Sequence, residues 1–167
     1  MESQAPREGP VRRRDDALSL LRRDHEQAQS LYEGFQTAGG DDRYFLTSRL
    51  MRTLEHYITV EDELFYPVIL DQASKRDHRQ GQELVRASMK EHQVWRKRIT
   101  KVKDMLAHDE GYQAQLDELM EQVRRQAEQE EQELFPVVRV LLSDAELMQV
   151  ADDIRRMKQE VESSLAA

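Results

Sequence analysis

The chain contains no cysteine among its 167 residues, only four prolines and six glycines, and ten aromatic residues. Without cysteine there can be no disulfide, no thiolate nucleophile, no iron–sulfur cluster and no thiolate zinc site. Nowhere does the sequence reach the roughly 18 consecutive apolar residues of a membrane span. Its first residues lack the apolar segment of a secretory signal. Acidic residues outnumber basic ones by 33 to 25, for a formal charge of −8. That sign argues against nucleic-acid binding, which needs a positive surface to displace counterions from phosphate. Neither Gly-x-Gly-x-x-Gly nor Gly-x-x-x-x-Gly-Lys occurs, and no nucleophile triad stands out. These absences lead to the expectation of an acidic, cytoplasmic, single-domain protein. Its chemistry must use His, Asp, Glu, Tyr, Ser or a bound metal.

What is present points to helices. Charged residues make up 35 % of the chain, a composition suited to long helices with solvated faces. Residues 1–14 hold Pro6, Pro10 and the arginines Arg12 to Arg14, and read as a disordered arm. Residues 15–167 read as one helical domain. Leu18, Leu21, His25, Ala28, Tyr32 and Phe35 recur at three- and four-residue steps, the period of one helix face. After Gly39-Gly40, a second stripe from about Asp41 to Asp71 carries Leu46, Leu50, Thr53, Tyr57, Glu61, Leu64 and Val68. A third begins at Asp77 and carries Val85, Ser88, His92, Trp95, Ile99, Val102 and Leu106. A turn at His108 to Gly111 leads to a fourth, with Leu116, Leu119, Val123, Gln126, Glu130, Leu134 and Val137. Ser143-Asp-Ala-Glu146 is a capping box that opens a fifth helix bearing Leu147, Val150, Ile154, Met157 and Val161. The expected fold is all-α: an up-down-up-down four-helix bundle with an additional C-terminal helix.

Each bundle helix places a metal-competent group on its apolar stripe: His25, Glu61, His92 and Glu130. Burying four such groups unpaired costs several kcal/mol each (an order of magnitude), so they need a common compensation, which a di-metal centre supplies. Two carboxylates and two imidazoles suit divalent iron or manganese. An internal repeat sharpens the pattern. Glu61-Asp-Glu-Leu-Phe-Tyr-Pro67-Val echoes Glu130-Glu-Gln-Glu-Leu-Phe-Pro136-Val, with proline six residues after glutamate in both. His25 precedes Glu61 by 36 residues, and His92 precedes Glu130 by 38. The chain therefore reads as two helical hairpins of one design, each giving one His and one Glu. On that reading one metal leans on His25 and Glu61 and the other on His92 and Glu130.

The segments Asp24-His25-Glu26, Glu61 to Pro67, Glu91-His92-Gln93 and Glu130 to Pro136 resemble the hemerythrin-like (HHE cation-binding) domain, over residues 15 to about 160. The resemblance implies a four-helix bundle around two non-haem irons, with carboxylate bridges and histidine terminal ligands. It further implies that the protein binds or senses dioxygen, peroxide, nitric oxide or iron. The family pattern has His four residues before each glutamate, where i and i+4 share a face. Here those places hold Tyr57 and Gln126. His56 lies five residues before Glu61, about 140° around the helix.

Three readings of these positions stay open. Tyr57 ligates as a phenolate, with Gln126 as a weak oxygen ligand. Alternatively, a local π-bulge turns His56 onto the ligand face. In the third, the site has decayed to a metal-free polar core, with Tyr57 and Gln126 bonded to the histidines and glutamates. That core would serve a regulatory protein, a small-ligand binder or a cofactor-free enzyme. Asp62, Glu63, Glu131 and Glu133 read as solvated helix faces, and Trp95, Phe65 and Phe135 as core. His78 and His108 read as exposed turn residues. The expected partner is a small molecule, dioxygen or a related oxidant. The sequence leaves the oligomeric state open.

Overall fold

The computed structural model describes residues 14–166, so all of the expected N-terminal arm but Arg14 lies outside the described residues. Seven α-helices follow in order: α1 (Ala17–Thr37), α2 (Gly40–Val60), α3 (Tyr66–Lys75), α4 (Arg79–Asp104), α5 (Tyr112–Gln129), α6 (Phe135–Leu141) and α7 (Asp144–Ala166). Two π-helical turns, π1 (Glu61–Phe65) and π2 (Glu130–Leu134), weld α2 to α3 and α5 to α6. The result is five rods and, among the described residues, no strand. The rods form the expected bundle, with α7 as the added helix.

Local chemistry sets the rod ends. Asp16 caps α1, its carboxylate accepting the Ser19 N–H at 3.0 Å. Gly111 enters α5 at φ 83°, a left-handed conformation that favours glycine. The Ser143 hydroxyl accepts the Glu146 N–H at 3.2 Å, and the Glu146 carboxylate accepts the Ser143 N–H at 2.7 Å, closing the capping box in both directions.

The prolines explain the welds. Proline has no N–H, and in an α-helix its ring collides with the carbonyl four residues back. Pro67 and Pro136 meet this by a widened turn just ahead of them. The Tyr66 N–H bonds to the Glu61 carbonyl, and the Phe135 N–H to the Glu130 carbonyl, five residues back rather than four. The rods continue, but every side chain beyond the turn is rotated relative to an unbroken helix.

The apolar stripes bury into two clusters, one at each end of the bundle. One gathers Leu18, Leu21, Phe65, Ile69, Val138 and Ile154, and here α7 covers the bundle. The other gathers Phe35, Leu50, Leu54, Trp95, Ile99 and Leu116. Fully burying one such side chain stabilises by roughly 1.5–3 kcal/mol relative to exposure. Three stripe positions fall outside this core, among them Thr53, which lines a cleft beside α7. Leu106 lies beyond the end of α4 and is 59 % exposed, and Val161 sits on the exposed last turns of α7. Between the two clusters lies a layer of buried polar side chains.

Candidate metal centre

The layer contains His25 of α1, Glu61 of π1, His92 of α4 and Glu130 of π2, all buried. The four residues singled out by the repeat therefore meet in one place. Ligand-competent atoms of His25, Glu61 and Glu130 all lie within 4.8 Å of one another. The Nε2 atom of His92 is 3.2 Å from Glu61 Oε2. The pairing is crossed relative to the hairpins. His25 faces Glu130, at 3.6 Å between Nε2 and Oε2, while His92 faces Glu61. Each His thus stands nearest the Glu of the other hairpin, because the hairpins pack face to face, while His25 also lies within 4.8 Å of Glu61, the residue expected to share its metal.

Two carboxylates that read as solvated in the sequence orient the rings. His25 Nδ1 donates to Glu131 Oε1 at 2.7 Å, and His92 Nδ1 donates to Asp62 Oδ1 at 2.7 Å. Asp62 is in turn held by Arg96 at 3.1 Å. A carboxylate can only accept, so each Nδ1 must carry a proton, and each Nε2 is left to the interior. Both acids follow the repeat glutamates directly, the signal that could have flagged them.

Two tyrosines complete the layer. The Tyr57 hydroxyl donates to Glu130 Oε2 at 2.9 Å and lies 2.5 Å from His25 Nε2. The Tyr66 hydroxyl is 2.9 Å from Glu61 Oε2 and 3.0 Å from Glu130 Oε1, bridging the two glutamates. Helical spacing alone does not place Tyr66 in the layer. On an unbroken α-helix it would point about 140° away from Glu61, and the π turn brings it alongside. Phe135 holds the equivalent place in the second repeat and stacks on His25 at 6.4 Å, as Tyr66 stacks on His92 at 5.5 Å.

The remaining sequence candidates go elsewhere. His56 does not join the layer: the π turn begins at Glu61, downstream of it, and cannot rotate it inward. It lines a cleft with Asp24 and Lys158 instead, and burial holds its pKa below the ordinary value. Gln126 is buried but donates to Ser88 Oγ at 2.6 Å rather than to a histidine or glutamate. His78 caps α4, accepting the Gly81 N–H at 3.0 Å, and His108 is exposed.

The electrostatics follow from this crowding. Burial disfavours both imidazolium ions, yet the surrounding carboxylates outweigh it. Glu130, Glu61 and Glu131 raise His25 to about 9, and Asp62 and Glu61 raise His92 to about 9. Burial and the neighbouring Glu130 charge push Glu61 up to about 7, against the pull of the two histidines. Burial acts the same way on Glu130, but bonds from His25 and Tyr57 keep its pKa below the ordinary value. Burial and the two glutamates lift both tyrosines well above their usual range, so they stay neutral phenols in this state.

The donor set fits a metal ion. Glu61 Oε1 and His92 Nε2 are both buried without a hydrogen-bond partner. Buried polar atoms are normally paired with protein, water or an ion, so these two inward-facing atoms are available to a ligand. Here they are an imidazole nitrogen and a carboxylate oxygen, with each ring oriented from behind by a carboxylate, the usual support of metal-binding histidines.

Comparison with known proteins agrees with this geometry. The hemerythrin HHE cation binding domain pattern matches residues 16–138. The chain belongs to the hemerythrin HHE family. It is 26 % identical over 137 residues to an uncharacterized hemerythrin-like protein of Schizosaccharomyces pombe, covering 81 % of this chain and 66 % of that one. The chain thus spans a little under two thirds of that relative's length. Its fold is similar to the crystal structure of a hemerythrin HHE cation binding domain-containing protein from Mycobacterium kansasii. The TM-score is 0.75 at 22 % identity, over 92 % of this chain and 91 % of that one. Among the described residues, no helix of this HHE protein is long and apolar enough to cross a membrane.

Proposed function

We propose that the buried layer of this HHE protein holds a dinuclear non-haem metal centre, iron in the first place and manganese in the second, that binds or senses a small oxidant such as dioxygen, peroxide or nitric oxide. The observation that supports this most directly is the pair of Nδ1–carboxylate contacts. They turn both Nε2 atoms inward onto two glutamates, one of which has an unpartnered oxygen. His25, His92, Glu61 and Glu130 would hold the ions, with Tyr57 as a further ligand on the His25 side. Bound iron would supply reversible one-electron chemistry and an open position for the small molecule. The protein's part is to hold the rings with Glu131 and Asp62, and to keep the layer dry between two apolar clusters. Tyr66 steadies both glutamates through one hydroxyl.

Metal content by plasma mass spectrometry, with a visible spectrum after air exposure, tests the reading. Two irons per chain in the wild type, and a clear loss of metal in His92→Ala, are expected. Less than about a tenth of a metal per chain after anaerobic loading with iron or manganese would overturn it.

A second reading has its own observation. Tyr57 already contacts His25 and Glu130, and Tyr66 both glutamates, so much of the layer is satisfied without an ion. On that reading the protein is a metal-free regulatory or ligand-binding member of the family, and the same metal analysis decides between the two.

A further inference from the structure

The two halves of the layer are alike in their ligands and unlike in their access. The His25 side chain is 7 % exposed, and Glu131 behind it is 36 % exposed. The His92 side chain is fully buried, and Asp62 behind it is 20 % exposed and tied to Arg96. Among the described residues, the His25 side meets a cleft of about 420 Å³ that runs between α1 and α5 and is lined in part by His25 and Glu131. The clefts beside α7, between α4 and α5, and at α6 include none of the layer's histidines or glutamates. The repeat also differs in the ring that backs each histidine. Tyr66, behind His92, is hydrogen-bonded to both glutamates, whereas Phe135, behind His25, has no polar atom to offer.

We propose that the α1/α5 cleft is the route by which a small neutral molecule reaches the centre, and that Met120, Val123 and Ala127 set its size limit. This rests on the metal-centre reading and makes the His25 side the reactive half and the His92 side the closed one. Those three residues form the apolar wall of the cleft on α5. An ion would lose hydration along such a wall without gaining a partner. The cleft also carries a charge filter: Glu26, Glu33 and Glu128 face one arginine, Arg124, which Glu121 and Glu128 already hold at 2.8 and 2.6 Å. Small anions are repelled there, while dioxygen, nitric oxide and hydrogen peroxide are not.

Two measurements test this, one of them independent of any metal. Xenon added to the metal-free protein is expected to shift the methyl resonances of Met120, Val123 and Ala127, and Ala127→Trp is expected to abolish the shifts at Met120 and Val123. In ferrous-loaded protein, Ala127→Trp is expected to slow nitric oxide association at least tenfold with metal content unchanged, and Ala127→Leu to slow it by less. Gln129→Trp, on the α4/α5 face, serves as the control and should leave the rate alone. Ala127 is only half-buried, so the leucine variant keeps the test usable if tryptophan disturbs folding. The proposal is overturned if the wild type shows no xenon shift at these methyls. It is equally overturned if nitric oxide association is insensitive to residue 127 at full metal content, or is slowed by Gln129→Trp instead. Xenon binding in a protein that takes up no metal would support the cleft and sink the metal-centre reading alone.

Discussion

His25 Nδ1 lies 2.7 Å from Glu131 Oε1, although the residues stand 106 positions apart on helices that the sequence assigns to different hairpins. The contact recurs at the same length between His92 and Asp62. In both, the acid that immediately follows a repeat glutamate orients the histidine of the opposite hairpin. These two carboxylates are therefore expected to govern metal affinity without touching the metal. Glu131→Ala and Asp62→Ala should each weaken binding about 10–100-fold, the usual cost of losing such a partner. Competition with a chelator of known affinity measures it, and wild-type affinity in both variants would refute the role.

Tyr57 offers a spectroscopic test of ligation. Burial and the two glutamates keep its phenol neutral in the metal-free protein, so ionisation has to come from a cation. Ferric wild type should show a broad visible band that Tyr57→Phe lacks, while Tyr66→Phe retains it. The metal-free Tyr57→Phe variant should also be less stable by about 1–3 kcal/mol, since it strips a hydrogen bond from buried Glu130 and His25. Urea unfolding gives that value, and an unchanged ferric spectrum would exclude the phenolate.

The pH dependence has a definite sign. His25 and His92 titrate near 9 in the folded protein against an ordinary 6.5, so the folded state holds protons that the unfolded chain releases. Their stabilising contribution is complete below about 6.5 and is lost as the pH rises through 9. Glu61, raised from 4.5 to about 7, lowers stability further as the pH rises between those two values. The metal-free protein should therefore unfold at lower urea at pH 9 than at pH 6.5. Metal binding must expel the same protons, so affinity should rise over this interval with release of at least about two protons per chain at neutral pH, and about one more where Tyr57 ligates as a phenolate. Calorimetry in buffers of different ionisation enthalpy counts them, and zero release would contradict the assignment.

Away from the centre, Lys158 of α7 holds buried Asp24 of α1 at 2.5 Å, while Asp24 Oδ2 has no partner. Removing the lysine leaves a carboxylate in the interior with little compensation. Lys158→Ala should destabilise by about 1–3 kcal/mol, less than for a fully buried pair because the ammonium is partly exposed. Restoring an uncharged pair with Asp24→Asn in the same background should recover part of the loss. Thermal melts of the single and double variants test both statements.

Much of the fold is legible in the helical period. The stripes of Leu18–Leu21–His25 and Val85–Ser88–His92 needed only the helical period, because each bundle rod must bury one face. The repeated glutamate-to-proline spacing marked Glu61 and Glu130 as equivalent. The capping box at Ser143 was local chemistry and formed as read. What local chemistry could not decide was which residues meet across the bundle. On its own helix Asp62 is simply one step around from Glu61, and only the approach of α4 makes it the partner of His92.

The π turns show the same division. Pro67 and Pro136 are visible in the sequence, but whether a proline ends a helix, kinks it or widens it depends on what the chain packs against afterwards. Here α3 and α6 continue into an apolar cluster, so widening keeps both rods buried and swings Tyr66 onto Glu61. The same geometry leaves His56 outside and beside α7. The sequence by itself determined the helices, their buried faces and the four inward His and Glu residues, because these follow from the helical period and from the cost of burying charge. The crossed contacts, the orienting acids, the bridging tyrosine and the cleft beside His25 were decided only by tertiary structure, because each depends on contacts between helices far apart in the chain.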